Sequence, residues 1–126
     1  MKLKIVYGLP FVDVVLTYKG KKVLLANVLV DTGSASTIIS ADTAVELDLE
    51  PGPYDKIRRI HGVGGTEFVY EKNIDGIELD SIVVSNFKIQ VGAMDYGFEI
   101  NAILGMDFLM AANIVLDIGK RILYSA

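Results

Sequence analysis

The 126-residue chain contains no cysteine, which excludes disulfides, thiolate zinc sites and cysteine nucleophiles together. A single histidine, His61, excludes a multi-histidine metal site and leaves any histidine-based catalysis to that one residue. No apolar run approaches the roughly eighteen residues of a membrane span, and the Met1-Lys2-Leu3-Lys4 start lacks the apolar stretch of a signal peptide. Asn-x-Ser/Thr sequons are missing too. The expectation is a soluble cytoplasmic protein. Positive charge is also short: 12 basic residues stand against 16 acidic ones, for a net charge of −4. Nucleic-acid binding needs clustered Lys and Arg, and the two small basic groups, Lys19/Lys21/Lys22 and Arg58/Arg59, read as solvated turns or strand ends.

What is present is apolar. Hydrophobic residues make up 52% of the sequence, and a domain of this size buries roughly two-thirds of its unfolded surface. Residues 1–126 therefore read as a single domain, too short for two cored halves. Segments 3–7, 10–18 and 22–30 are rich in Val, Leu, Ile and Tyr, and Tyr18-Lys19-Gly20-Lys21 predicts a hairpin turn. Val23 to Val30 is continuously apolar apart from Asn27, as for a strand buried on both faces, and it runs into Asp31-Thr32-Gly33-Ser34. Ser40 or Asp42 can cap a short helix reaching about Leu49, ended by Pro51-Gly52-Pro53. Lys56 to Tyr70 reads as two strand arms around a glycine-rich tip. Short strands follow at 74–79, 82–84 and 86–91. Asp107 can cap a helix from Phe108 to Ala112, with Phe108, Leu109 and Met110 facing the core, and two short strands close the chain. The pattern is mainly β with one or two short helices.

The chemistry is concentrated at Asp31. Val28-Leu29-Val30 leads this carboxylate toward a low-dielectric site, where an isolated charge is costly. Two such carboxylates facing each other across a two-fold axis would share one proton, supplying a general base and a general acid for water attack on an amide. Gly33 allows close backbone approach, and Thr32 and Ser34 place hydroxyls on the turn. The bland alternative is an Asx or Ser/Thr turn ending a strand. About seventy residues later, Ile103-Leu104-Gly105 followed by a short helix repeats the scheme without an aspartate. Between the two lies Gly62-Val63-Gly64-Gly65, which fails the G-x-G-x-x-G phosphate pattern because Glu67 stands at the last glycine position.

These motifs together resemble the retropepsin-like aspartic proteases, the single-domain relatives of pepsin, over roughly residues 10–124. The resemblance implies a closed, orthogonal all-β acid-protease barrel with a flap hairpin and a psi-loop active site. It implies that Asp31 is the catalytic carboxylate, that Thr32 forms interlocking hydroxyl bonds between two active loops, that Gly33 completes the loop and that Ser34 bonds the outer oxygen of Asp31. Gly62, Val63, Gly64 and Gly65 would form the flap over substrate, and Ile103, Leu104 and Gly105 the segment threading beside the active loop. It further implies an endopeptidase active as a homodimer, with a peptide or protein substrate and neither metal nor cofactor. The alternative is a non-catalytic or weakly catalytic dimeric module of the same fold that binds peptides or assists assembly.

Overall fold

The computed structural model describes residues 1–52, 55, 57–62, 65–94 and 100–126. The chain begins with strands β1 (Lys4–Val6), β2 (Leu9–Tyr18) and β3 (Lys21–Val30). Lys19 and Gly20 both take positive φ, 48° and 80°, the geometry of a two-residue hairpin whose twist matches its flanking strands. A short β4 (Ile38–Ser40) leads into helix α1 (Ala41–Glu46), and β5 (Ile57–Gly62), β6 (Gly65–Leu79) and β7 (Ile82–Gly92) form the central antiparallel run. Then come β8 (Ala102–Leu104), helix α2 (Met106–Ala111), β9 (Ile114–Asp117) and β10 (Ile122–Ser125).

Eight strands hydrogen-bond in the order β1-β2-β3-β8-β4-β7-β6-β5, and β2 also pairs with β6. That extra pairing closes β2, β3, β8, β4, β7 and β6 into a six-stranded barrel, with β1 and β5 as outer strands of hairpins. The expected closed all-β architecture is present. Inside it pack Val12, Leu16, Val28, Ile74, Ile77, Ile89 and Leu104, with Phe108 of α2 completely buried and its ring edge-on to Phe87 at 6.0 Å. A second cluster forms on another face. Phe11, Leu29, Ile103 and Ile38 lie in successive register across β2, β3, β8 and β4, and Met94 and Ile100 join them.

Several local expectations are corrected. Strand β3 is buried on both faces only at Val28–Val30; Leu24 is 69% exposed, because β8 is three residues long and pairs only with Leu29 and Val30. The short strands expected at 74–79, 82–84 and 86–91 are parts of two long ones, of 15 and 11 residues. The cross-strand register stays constant from Tyr70↔Val91 to Leu79↔Ile82 and carries them past polar Ser85-Asn86, although Asn86, at φ 52°, pairs with no residue of β6 among the register partners. Ser40 caps α1 by accepting from the Thr43 amide, but the helix stops at Glu46, where Asp48 turns into the left-handed region at φ 56°. Met110, assigned to the core with Phe108 and Leu109, is 66% exposed.

The chain ends pair within one chain. The Leu3 amide donates to the Arg121 carbonyl at 2.9 Å, the Leu123 amide to Met1 at 2.8 Å, and the Met1 ammonium to Leu123 at 3.0 Å. Leu123 is fully buried beneath this junction. No helix among the described residues is long and apolar enough to cross a membrane.

A bulge sets the twist of the first hairpin. The β2–β3 register shifts between Val12 and Val14, where Asn27 sits at φ 59° and its amide donates to the Asp13 carboxylate at 3.2 Å. A β-branched side chain is strained there. Asn27→Val should lower the unfolding free energy by about 1–2 kcal/mol in urea titration, whereas Asn27→Gly should stay within about 1 kcal/mol of the parent.

Candidate active site

Asp31 is the first residue past β3, and its amide extends the parallel β3–β8 ladder by donating to the Leu104 carbonyl at 3.0 Å. Burial ends one residue earlier: Val30 is 5% exposed, while Asp31 is half-buried and Thr32 and Gly33 are exposed. The carboxylate thus leaves the apolar strand at its end and lies at the surface of a single chain. Its Oδ1 accepts from the Gly33 amide at 2.9 Å, and an added Cβ on Gly33 would stand 3.2 Å from that oxygen. Ser34 departs from expectation. Its hydroxyl donates to the Ser36 carbonyl at 2.7 Å, so its proton is committed there and not to the outer oxygen of Asp31.

The loop from Asp31 to Thr37 joins β3 to β4 around β8, which lies between those strands, parallel to β3 and antiparallel to β4. This threading brings Ile103, Leu104 and Gly105 against the Asp31 loop. The Met106 amide donates to the Ser34 carbonyl at 2.8 Å, and the Asp107 amide to Ala35 at 3.3 Å. Gly105 is demanded by space. Its φ of −93° is ordinary, but a Cβ there would fall 2.3 Å from the Ser36 carbonyl oxygen and 2.9 Å from that of Ser34.

Two residues without an assigned site role hold this arrangement. Thr37, 2% exposed, donates its amide to Asp107 Oδ2 at 3.1 Å and its hydroxyl to Asp107 Oδ1 at 2.8 Å, and the hydroxyl oxygen accepts from the Gly105 amide at 3.1 Å. The Thr37 carbonyl accepts from the Gln90 amide at 3.0 Å. Asp107, expected only to cap the last helix, lies inside its first turn; Gly105 occupies the cap position and supplies no side chain. The local sequence gives no sign of this pairing across seventy positions. Its one faint trace is a buried threonine type at the start of an apolar strand.

The glycine-rich segment forms a hairpin of regular register from Ile57↔Tyr70 to Gly62↔Gly65. The expected tip residues Val63 and Gly64 lie outside the described residues, as does the segment from Asp95 to Glu99. At the root of this hairpin Lys72 Nζ lies 2.9 Å from Asp55, whose carboxylate also accepts from the Gly52 amide. That amide bond, followed by the Lys72 bond, holds the Asp55 carboxyl below its usual range, and Asp55 in turn raises the Lys72 ammonium above its own. Among the described residues, no group of three or more His, Cys, Asp and Glu is placed to hold a metal ion.

Comparison with known proteins agrees with this geometry. Residues 17–111 match the family described as "gag-polyprotein putative aspartyl protease". The chain belongs to that family, within the retropepsin-like aspartic proteases. Among solved structures, a retropepsin-like aspartic protease from Rickettsia conorii superposes with a TM-score of 0.69, covering 98% of this chain and 97% of its own, at 16% sequence identity. At that identity the likeness is one of fold. Among curated proteins, none matches in sequence.

Thr37→Val keeps the side-chain volume while removing the hydroxyl bond to Asp107 Oδ1 and the acceptor of the Gly105 amide, and leaves the backbone bond to Asp107 Oδ2 in place. It should lower stability by about 2–4 kcal/mol in urea titration, the cost of leaving buried polar groups unpaired. For Asp55, a depressed folded pKa means a contribution present above the unfolded value near 3.8 and lost as pH falls through the lower folded value. For Lys72, a raised pKa means a contribution lost as pH rises above 10.5. The urea midpoint of the parent should therefore exceed that of Asp55→Asn on a plateau from about pH 5 to 9, and the gap should close as pH falls below the unfolded value of 3.8 and through the lowered folded one.

Proposed function

We propose that the chain is an aspartic endopeptidase that works as a homodimer, with water activated between two Asp31 carboxylates. One observation carries this reading. A single chain presents one Asp-Thr-Gly at the end of a buried strand, and the element threaded beside it, Ile103-Leu104-Gly105, brings a glycine and no carboxylate. General acid–base attack on an amide needs two such groups, so the second must come from a second copy. The family membership supports the same class of reaction.

In the dimer the two carboxyls share a proton, since like charges that close cannot both ionise. The ionised one takes a proton from water as the water oxygen bonds to the peptide carbonyl carbon, and the other gives its proton to the carbonyl oxygen. Proton transfer to the amide nitrogen then allows the C–N bond to break. The Gly33 amide holds one carboxylate oxygen in place throughout. Thr32, exposed in one chain, is free to bond across to the facing loop. Because Met1 and Leu3 already bond to the C-terminal hairpin of their own chain, the second copy is met with the chain ends in place.

Leu29 lies two residues before Asp31 and so on the same side of the strand, continuing across the sheet into Ile103 and Ile38. This row is buried with Met94 and Ile100 in the second apolar cluster and forms the floor behind the carboxylate. An extended peptide would pair its main chain with strand edges while the Gly62–Gly65 hairpin closes over it and excludes water.

Asp31→Asn preserves shape and removes the ionisable group. Cleavage of an unfolded protein substrate should fall by about 10³-fold with the urea midpoint unchanged, whereas a variant cleaving at the parent rate would contradict the proposal.

A further inference from the structure

Strand β6 changes partners at one residue. From Tyr70 to Leu79 it pairs with β7, from Gly65 to Tyr70 it pairs with β5, and Tyr70 stands opposite both Ile57 and Val91. Because β5 is the last strand in the sheet order, the two arms leave the barrel beyond Tyr70 as a two-stranded hairpin, which has little stability of its own. Its stance is set at the root.

Asp55 and Lys72 meet at that root. The register that pairs Ile57 with Tyr70 places position 55 opposite position 72, so the two stand where the next cross-strand pair on the same face would fall. Lys72 is fixed to the barrel, its backbone paired with fully buried Ile89 of β7. Its ammonium lies 2.9 Å from Asp55 Oδ2, an oxygen that also accepts from the Gly52 amide, and the Asp55 amide donates back to the Gly52 carbonyl at 3.2 Å. The Gly52 backbone packs directly on the pair: a Cβ there would stand 3.4 Å from Oδ2 and 3.6 Å from Nζ. The Lys72 and Asp55 side chains are 18% and 19% exposed, whereas Lys4–Asp13, Lys21–Asp48 and Lys22–Glu78 leave at least 35% of every side chain in solvent. Of these attractions, the one at the hairpin root is screened least.

We propose that Asp55 and Lys72 are positioning residues, whose ion pair pins the outer arm of the hairpin to the barrel-bound arm and holds the hairpin in the stance that receives an extended peptide. For the peptide this rests on the proteolytic reading; for the pin it rests on the register and the bonds at the root. Neither residue touches the reacting atoms. Without the ion pair the connection from α1 into β5 loses its anchor, and the two arms move over a wider range. Binding a peptide then requires additional ordering of the hairpin, which raises KM and leaves the step between the carboxylates unchanged.

Lys72→Met keeps the stem and removes the charge, and Lys72→Arg keeps the charge. Amide hydrogen exchange of the wild-type chain and both variants reads the pin without turnover. Exchange of the β5 amides should speed up at least about fivefold in Lys72→Met, with the β2–β3 amides unchanged, and stay within about twofold of the parent in Lys72→Arg. With fluorescein-labelled unfolded casein, Lys72→Met should raise KM about five- to tenfold at a kcat within about twofold of the parent, and Lys72→Arg should restore the parent KM. A merely structural loss would instead reduce the amount of folded enzyme and lower kcat at constant KM. Unchanged β5 exchange in Lys72→Met, faster exchange with unchanged KM, or a fall in kcat alone would overturn the proposal. Hydrolysis that persists in Asp31→Asn would instead overturn the proteolytic reading, and β5 exchange would still decide the pin.

Discussion

The structure depends on the close approach of two backbones at Gly105. The Asp31 loop passes over this residue so tightly that its Ser36 carbonyl oxygen would stand 2.3 Å from any Cβ there, and the contact is held by Thr37 and Asp107 from either side. Thr37 spends its amide, hydroxyl and carbonyl on three different elements, the last helix, the β8–α2 turn and β7. The position of Asp31 follows from it, because the same loop carries the carboxylate at one end and Thr37 at the other.

The parts of the site legible in the sequence are those encoded by contiguous residues. The apolar run into Asp31-Thr32-Gly33-Ser34, the Lys19-Gly20 turn and the Ile103-Leu104-Gly105 segment each carry their own local signature, and in the fold they form the end of β3, a hairpin turn and the strand paired beside β3. The Thr37–Asp107 pair had none, since its two members lie seventy positions apart and only the threading of β8 brings them together. By local sequence Asp107 therefore reads as a helix cap, a common use of an aspartate before an apolar turn. Burial misled in the same way. Leu24 and Met110 are as apolar as their neighbours, yet whether a partner strand or the core reaches them is decided elsewhere in the chain, and for both it does not.

Ser34 marks a second boundary of local reasoning. A hydroxyl two atoms from the main chain can serve either the Asp31 carboxylate or the Ser36 carbonyl, and residue type does not distinguish them. In the folded chain the carbonyl wins at 2.7 Å, which tightens the same loop that rests on Gly105. The Asp31 carboxylate is left with the Gly33 amide on one oxygen and a surface position for the rest, an unusual end for a strand whose last residues are so thoroughly buried. Half-burial of this kind suits a face completed by a second molecule.

The central claim is that one chain holds half of a catalytic site. It is tested most directly by mixing wild-type and Asp31→Asn chains under conditions that let subunits exchange, and measuring peptide hydrolysis at constant total protein. If both carboxylates are required, an equal mixture retains about a quarter of the wild-type activity, the share of dimers in which both chains are wild-type. Retention of about half, in proportion to the wild-type chain alone, would mean that each chain acts by itself and would contradict the account.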